Sequence, residues 1–280
     1  MTNKILGIEI TNPNKIIYKN LNITKLDVAK YYSKVSEKML PYVKFRPLSA
    51  VRCHSGIDGE CFFKKHPTTE KEMVKTFLKD GEEYFYVTTV KEIVFQAQMG
   101  TVEFHTNGAS VKKLEKPNIM VFDLDPDEKL SLDKLREGVA CLKEVLDDVG
   151  LESFLKTSGG KGYHIVVPFK SSKGWNMFST FAENVASLTK NKYPKMFTTN
   201  IRKVNRKGKI FIDYLRNDRS STCVAPYSLR IRETAGISFP ISWKDLFKIS
   251  PSEISIKNYV NYLNNADPWK HFFDVEQKLY

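Results

Sequence analysis

Residues 118–126 read Asn118-Ile119-Met120-Val121-Phe122-Asp123-Leu124-Asp125-Pro126. An apolar run that ends in charge is the pattern of a buried strand delivering carboxylates to its C-terminal edge, and Pro126 closes it. Strand side chains alternate, so Asp123 and Asp125 share one face with Cα atoms roughly 6.5 Å apart. Both reach one cation site. Carboxylates this close repel each other, and hard divalent cations such as Mg²⁺ or Mn²⁺ relieve the repulsion. Taken alone, Asp-x-Asp is better read as a turn-forming strand end or a structural calcium ligand.

Outward from this strand the pattern is mixed α and β. Downstream, Ser131 caps a helix in which Leu132, Leu135, Val139, Leu142, Leu146 and Val149 recur at helical spacing, and Gly150 ends it. A strand over 153–156, a glycine loop, a strand over 163–169, a helix over 175–189 and a strand over 209–213 follow. The last of these ends in a third carboxylate, Asp213. The spacing predicts short helices over 243–247 and 251–263. Upstream, Thr24 caps a helix running to about Met39, which Pro41 ends. Extended segments are predicted at 43–53, 62–65, 84–88 and 101–106, and Ile5–Ile10 reads as a strand rather than a secretory leader, which implies a cytosolic, nucleoid-associated protein. No internal repeat is present, and one domain over 1–280 is expected, with sub-parts at about 1–115, 116–250 and 251–280.

Hydrophobic residues make up 41% of the 280, which excludes a disordered chain, and no apolar run approaches the ~18 residues of a membrane helix. Lys+Arg 44 against Asp+Glu 32 gives +12, a balance that favours a polyanionic partner such as nucleic acid; no membrane partner is expected. Cys53, Cys61, Cys141 and Cys223 are too few and scattered for a disulfide framework and read as reduced thiols. Cys53, His54, Cys61 and His66 lack the Cys-x2-4-Cys knuckle of a structural zinc site.

Thr157-Ser-Gly-Gly-Lys-Gly-Tyr-His164 joins two of the predicted strands. Its glycines let backbone N–H groups approach phosphate oxygens, and Ser158, Lys161 and His164 offer further donors. It lacks the Gly-x4-Gly-Lys-Ser/Thr of a P-loop, and a plain Gly-Gly hairpin explains the segment by itself. Arg230 and Arg232 alternate along what reads as an extended segment, so both can face one anion.

Together, Glu103-Phe-His105, Phe122-Asp-Leu-Asp-Pro126, Lys156-Thr-Ser-Gly-Gly-Lys-Gly-Tyr-His164, Phe211-Ile-Asp-Tyr-Leu-Arg-Asn217 and Val224-Ala-Pro-Tyr-Ser-Leu-Arg-Ile-Arg-Glu233 resemble the polymerase module of bacterial ligase D-type end-joining proteins, of the archaeo-eukaryotic primase superfamily. The resemblance runs in order from about Asn12 to Phe247. It implies an α+β fold whose mixed and antiparallel sheets form a primase-like, RRM-like core with flanking helices. It also implies template-directed nucleotidyl transfer to DNA ends, with Asp123, Asp125 and Asp213 holding two Mn²⁺ or Mg²⁺ ions. His105, Ser158, Lys161, His164, Arg230 and Arg232 would line the incoming NTP or dNTP, ribonucleotides being preferred. Lys15 and Lys25 would recognise a downstream 5′-phosphate at a gap or 3′-overhang, with Arg52, Phe62 and Phe63 on the DNA. Phe62-Phe63 serves equally as a stacking pair or, for one of the two, a core aromatic. The basic stretch Arg202, Lys203, Arg206, Lys207 and Lys209 is either a DNA-backbone contact or a solvated loop. A separate ligase and a Ku protein would be the partners by association. Relatives commonly carry lysine where this chain has Ser221, and the chain has no ligase signature, so the reading is a stand-alone polymerase or an excised module. Two alternatives stand beside it: a primase-polymerase of replication or a defence locus, and a catalytically silent nucleic-acid-binding module, against which the three aspartates argue.

Overall fold

The computed structural model describes residues 3–68, 73–170 and 172–279, which divide into two units. The first takes the chain up to Asn107 with Val224–Ser238 and Ser255–Lys257. It opens with two short ribbons, β1 (Lys4–Ile5) with β2 (Ile8–Glu9) and β3 (Ile16–Tyr18) with β4 (Ile23–Thr24). Helix α1 (Lys25–Val43) then starts at a capping box, in which Thr24 accepts from the Asp27 N–H and Asp27 accepts from the Thr24 N–H. Its inner face buries Val28, Tyr31, Tyr32, Val35 and Met39. Both tyrosine hydroxyls donate to backbone carbonyls, Tyr31 to Tyr227 at 2.7 Å and Tyr32 to Val102 at 2.5 Å, so neither hydroxyl is stranded in the interior.

Pro41 does not end this helix. It lies in the last turn, where only its own missing N–H is lost, and the Lys44 N–H still closes on Leu40. Strands β5 (Leu48–Cys53), β6 (Cys61–Lys64), β7 (Lys75–Lys79) and β8 (Glu82–Tyr86) follow, then helix α2 (Val90–Gln98) and β9 (Thr101–Thr106). β5 is central between β6 and β9, both antiparallel to it, and β7 pairs with β8. Neither β7 nor α2 was expected. Val90, Ile93 and Val94 favour strand, yet a Thr89–Glu92 capping box starts a helix there.

Cys53 and Cys61 correct the reduced-thiol reading: they form a disulfide. Register opposes the two residues directly across β5 and β6 with Cα atoms 4.4 Å apart, a span a disulfide bridges without backbone movement. The free cysteines are Cys141 and Cys223.

The second unit is Gly108–Cys223, Phe239–Ile254 and the chain from Asn258. Its elements are β10 (Ile119–Pro126), α3 (Leu132–Asp148), β11 (Phe154–Thr157), β12 (Tyr163–Pro168), α4 (Trp175–Lys192), β13 (Phe197–Thr198) and β14 (Ile210–Asp213). Beyond β15 (Cys223–Val224), at the boundary of the units, come β16 (Pro240–Ile241) and α5 (Val260–Leu263). The sheet order is β13-β14-β10-β12-β11-β16. Within it, β10-α3-β11-β12-α4-β14 is a β-α-β-β-α-β unit whose strands lie fourth, first, third, second, all antiparallel. The α+β, antiparallel expectation is therefore met. Between β16 and the C-terminal end the described chain forms a 3-10 turn at Trp243–Asp245 and the single turn of α5, less helix than expected for 251–263 and beyond. Among the described residues no helix is long and apolar enough to cross a membrane.

Candidate functional site

Register in the second unit's sheet does what spacing alone cannot. Asp123 of β10 lies opposite His164 of β12 on one side and Asp213 of β14 on the other, and His164 lies opposite Lys156 of β11. Directly opposed residues project from the same face, so Lys156, His164, Asp123 and Asp213 form a row across four strands, with Asp125 two residues along β10 on that face. The loop at 158–162 sets this strand against its neighbour. A Cβ on Gly162 would sit 2.1 Å from the carbonyl oxygen of Leu124, between the two aspartates, so only glycine lets the loop lie there.

The row is electrically crowded. Asp123 is held down at about 2: burial works against its charge, but His164, Arg216 and Lys156 outweigh it. Asp125 and Asp213 are both pushed up, first by burial and then by the neighbouring carboxylates. His164 Nε2 stands 3.2 Å from Asp123 Oδ1, while Lys156 Nζ lies 2.8 Å from Nδ1 on the opposite edge of the ring. Burial disfavours a charged His164, Asp123 more than compensates and raises its pKa, and Lys156 opposes that rise. Cys223 Sγ is 3.4 Å from the same Nδ1; burial would raise the thiol, but His164 and Lys156 bring it below its ordinary value.

Asp123 Oδ1 is buried with no hydrogen bond directed at it despite the imidazole beside it. Arg216 stands against the other aspartate oxygens, Nε 3.0 Å from Asp213 Oδ2 and 3.9 Å from Asp123 Oδ2. Among the described residues no three His, Cys, Asp or Glu side chains close into a metal-coordinating group. A hard oxygen donor set with an orphaned carboxylate oxygen nevertheless fits divalent ions in kind.

The glycine loop differs from expectation. Gly160 and Gly162 N–H both donate to Ser158 Oγ at 3.1 Å, and the Gly159 N–H donates to Pro251, so these three donors serve the loop rather than an outside anion. Lys161 points outward, 71% exposed and 3.5 Å from Glu128.

Eight of the expected residues fall in the first unit: Lys15, Lys25, Arg52, Phe62, Phe63, His105, Arg230 and Arg232. Glu103 accepts from His105 Nε2 at 2.6 Å, from Arg230 Nε at 3.1 Å and from the Ile231 N–H at 2.6 Å. Burial alone would raise its pKa; the His105 bond and the Arg230 charge instead bring it down to about 2. Arg230 and Arg232 do not alternate along an extended segment: the Arg232 N–H closes back on the Arg230 carbonyl in a tight turn, leaving Arg230 on Glu103 and Arg232 exposed. Phe62 and Phe63 are both exposed rather than core, with Phe63 packed edge-on against His105. Arg52 is buried and donates to Gln96, an interior bond rather than a surface one. Lys15 and Lys25 line one cavity of about 240 Å³ with Thr11, His54 and Gly100. Lys25 Nζ is steadied by the Thr11 carbonyl at 2.9 Å, and burial together with Lys15 lowers its pKa. Of the basic stretch, Arg206 stacks on Phe211 at 3.6 Å and donates to the carbonyls of Asn200 and Ile201, so that loop is ordered.

Glu103, Lys156 and Arg216 went unassigned from sequence. A lysine inside the apolar strand Phe154-Leu-Lys-Thr was the available signal for Lys156; Glu103 and Arg216 needed the pairing partners that only the fold supplies.

A model of the LigD primase-polymerase domain matches residues 24–269. The multifunctional non-homologous end joining protein LigD of Pseudomonas aeruginosa is 34% identical over 282 residues, covering 98% of this chain and 34% of that protein. The bifunctional LigD of Bacillus subtilis is 28% identical over 258 residues, 91% of this chain and 42% of its own. The chain thus spans about a third of the length of the first curated relatives it matches. Among solved structures, the polymerase domain of Mycobacterium tuberculosis ligase D in complex with DNA is similar at a TM-score of 0.86 and 26% identity, over 94% of this chain and 97% of that one.

Proposed function

The chain belongs to the LigD primase-polymerase family, and on that premise we propose that it is a template-directed nucleotidyltransferase that fills gaps and extends DNA ends in end-joining repair. One observation carries the reading: Asp123, Asp125 and Asp213 project from one sheet face, mutually repelling, with an orphaned oxygen on Asp123. These three would hold two divalent ions, Mn²⁺ or Mg²⁺. Such ions, when bound, supply Lewis-acid charge and lower the pKa of a bound hydroxyl.

What the side chains themselves do follows from their placement. In the second unit, His164 stands beside Asp123 with Lys156 behind it, presenting positive charge to a polyphosphate, and the exposed Lys161 ammonium adds a mobile cation. Ser158 fixes the loop that carries them. In the first unit, Glu103 clamps His105 and Arg230 in fixed orientations and Arg232 remains free to solvent, a set suited to phosphate or ribose contacts of the nucleotide. Phe62 and Phe63 offer ring faces for base stacking. Lys15 and Lys25 form a cation pair in a cavity large enough for a phosphate, which supports recognition of a downstream 5′-phosphate. We take both units as one functional domain, since the family model spans residues of each. NTP in preference to dNTP, a separate ligase and a Ku protein as partners, and a nucleoid location are proposed from the family alone.

The test is Mn²⁺-dependent extension on gapped duplexes that differ only in a 5′-phosphate or 5′-hydroxyl at the downstream margin. The phosphate gap should be filled several-fold faster, and the Lys15→Ala, Lys25→Ala double variant should lose the difference while still extending a simple primer. Equal wild-type rates on the two gaps, with efficient initiation on an unprimed strand, would move the assignment to a primase.

A further inference from the structure

Lys15 and Lys25 share their cavity of about 240 Å³ with a third basic group, His54. Among the described residues the lining contains no aspartate or glutamate, so its cations face one another without a countercharge. Lys25 is fixed in this position. Its Nζ donates to the Thr11 carbonyl at 2.9 Å, and Gln98 holds Thr11 in turn, accepting from its N–H at 2.9 Å and donating to its hydroxyl at 2.7 Å. Swinging the ammonium away would break this chain of bonds. Burial first and then Lys15 lower the Lys25 pKa, as happens in a site short of negative charge.

His54 directly follows β5 and is exposed. Its ring is nevertheless seated. Gly100, at φ +84, leaves room for it, since a Cβ there would stand 3.0 Å from Nδ1, and the Phe62 ring lies alongside at a centroid distance of 5.4 Å. Among the described residues the imidazole makes no hydrogen bond. The charged groups that act on it are Arg52, Lys15 and Lys25, all cations, and together with burial, the largest cause, they lower its pKa. Arg52 donates inward to Gln96, so only the two lysines and the imidazole present nitrogen to the cavity with a charge to gain or keep.

We propose that His54 is a third phosphate ligand of this cavity, which takes up a proton as a terminal 5′-phosphate enters and so sets the preference for that group over a hydroxyl or a bridging phosphodiester. The proposal rests on the reading of the cavity as the 5′-phosphate site and adds the residue that makes it selective. A terminal phosphate carries about −1.5 to −2 charge at pH 7, a bridging phosphodiester only a single negative charge. In the free protein the ring is neutral because cations surround it; the dianion reverses that field and makes the imidazolium the stable form. The proton comes from water, and no covalent bond changes. Binding with proton uptake strengthens as pH falls through the bound-state pKa and levels off below the free-state one. The phosphate's own second protonation, near pH 6, sets the lower edge of the window.

The test is the ratio of the Kd values of the full chain for gapped duplexes ending in a 5′-hydroxyl and in a 5′-phosphate, measured by fluorescence anisotropy. In wild type this preference for phosphate should rise about fivefold from about pH 8.5 to about pH 6.5. In His54→Gln, which keeps a polar side chain that does not titrate, it should stay at the value wild type shows at the higher pH. Taking the ratio cancels titrations that affect the rest of the duplex. A rise that persists in His54→Gln belongs to Lys25 and overturns the proposal. A wild-type preference that is present but does not change with pH also overturns it, while the 5′-phosphate reading of the cavity stands. No preference at either pH removes both. Wild type alone gives a second answer: calorimetry in two buffers of different ionisation enthalpy should show more proton uptake with the 5′-phosphate duplex than with the 5′-hydroxyl duplex, and equal uptake refutes the role of His54.

Discussion

Two clusters of charge differ in how they are built and in what they do to the fold. The row on β10, β12 and β14 is made by strand register, and it sets like charges together: Asp125 and Asp213 are pushed toward protonation by burial and by the neighbouring carboxylates. The cluster around Glu103 is made by a loop folding back on a strand, and there every charge is answered, so the carboxyl is held at about 2. A strained cluster stores repulsion that a cation can relieve; a satisfied one stabilises the chain and holds its members still. Neutralising one carboxylate in each should therefore move stability in opposite directions.

Asp125→Asn gives the largest effect. Nucleotide addition under Mn²⁺ should fall by about a hundredfold or more, because one oxygen ligand is lost. Its folded pKa is raised, so the charged form costs stability at pH above that value; the neutral amide removes the cost, and the melting temperature measured without divalent ions should rise. An inactive variant that melts lower than wild type would break the contrast between the clusters.

Glu103→Gln should do the reverse. A carboxyl lowered from 4.5 to about 2 contributes on the order of 3 kcal/mol. For a depressed carboxyl that contribution is fully present above the unfolded value near 4.5 and is lost as pH falls toward about 2. Urea melts of wild type and Glu103→Gln should differ by about 3 kcal/mol at pH 7, and the gap should close across pH 4.5 to 2. A gap that persists at pH 2 would mean that packing, not charge, accounts for the loss.

The two clusters also differed in how far the sequence exposed them. The run Ile119–Asp125, the helix capped by Ser131 and the Asp213 strand could be read from period and capping, because those signals are local. Which residue faces which was hidden: that Lys156, His164, Asp123 and Asp213 form one row depends on pairings between residues up to 90 positions apart in the chain, counted from Asp123 to Asp213. In the first unit the Thr24 cap and the strand at Thr101–Thr106 were legible in the same way, but some local readings failed. The Arg230–Arg232 segment closes into a turn because Glu103 draws in both the Arg230 side chain and the Ile231 N–H, a long-range cause without a local sign. The Val90–Gln98 helix carried its capping box in plain view, but three β-branched residues spoke for strand.

Cys61→Ser sharpens the comparison at its smallest scale, since it tests a tie in the first unit that owes nothing to charge. Cys53 and Cys61 are eight residues apart, and cross-linking so short a loop removes limited entropy from the unfolded chain, about 2.5 kcal/mol in the chain-entropy account. Cys53 lines the Lys15–Lys25 cavity, and Cys61 begins the strand that carries Phe62 and Phe63. Losing the tie should therefore loosen that edge while leaving the carboxylate row untouched. The variant should unfold at lower urea than oxidised wild type, a dithiol reductant should bring wild type down to the variant's level, and the variant itself should not respond to the reductant. Mn²⁺ binding should be equal in all three states. If reduction instead altered Mn²⁺ affinity, the two clusters would be coupled, and treating them as separately built would be wrong.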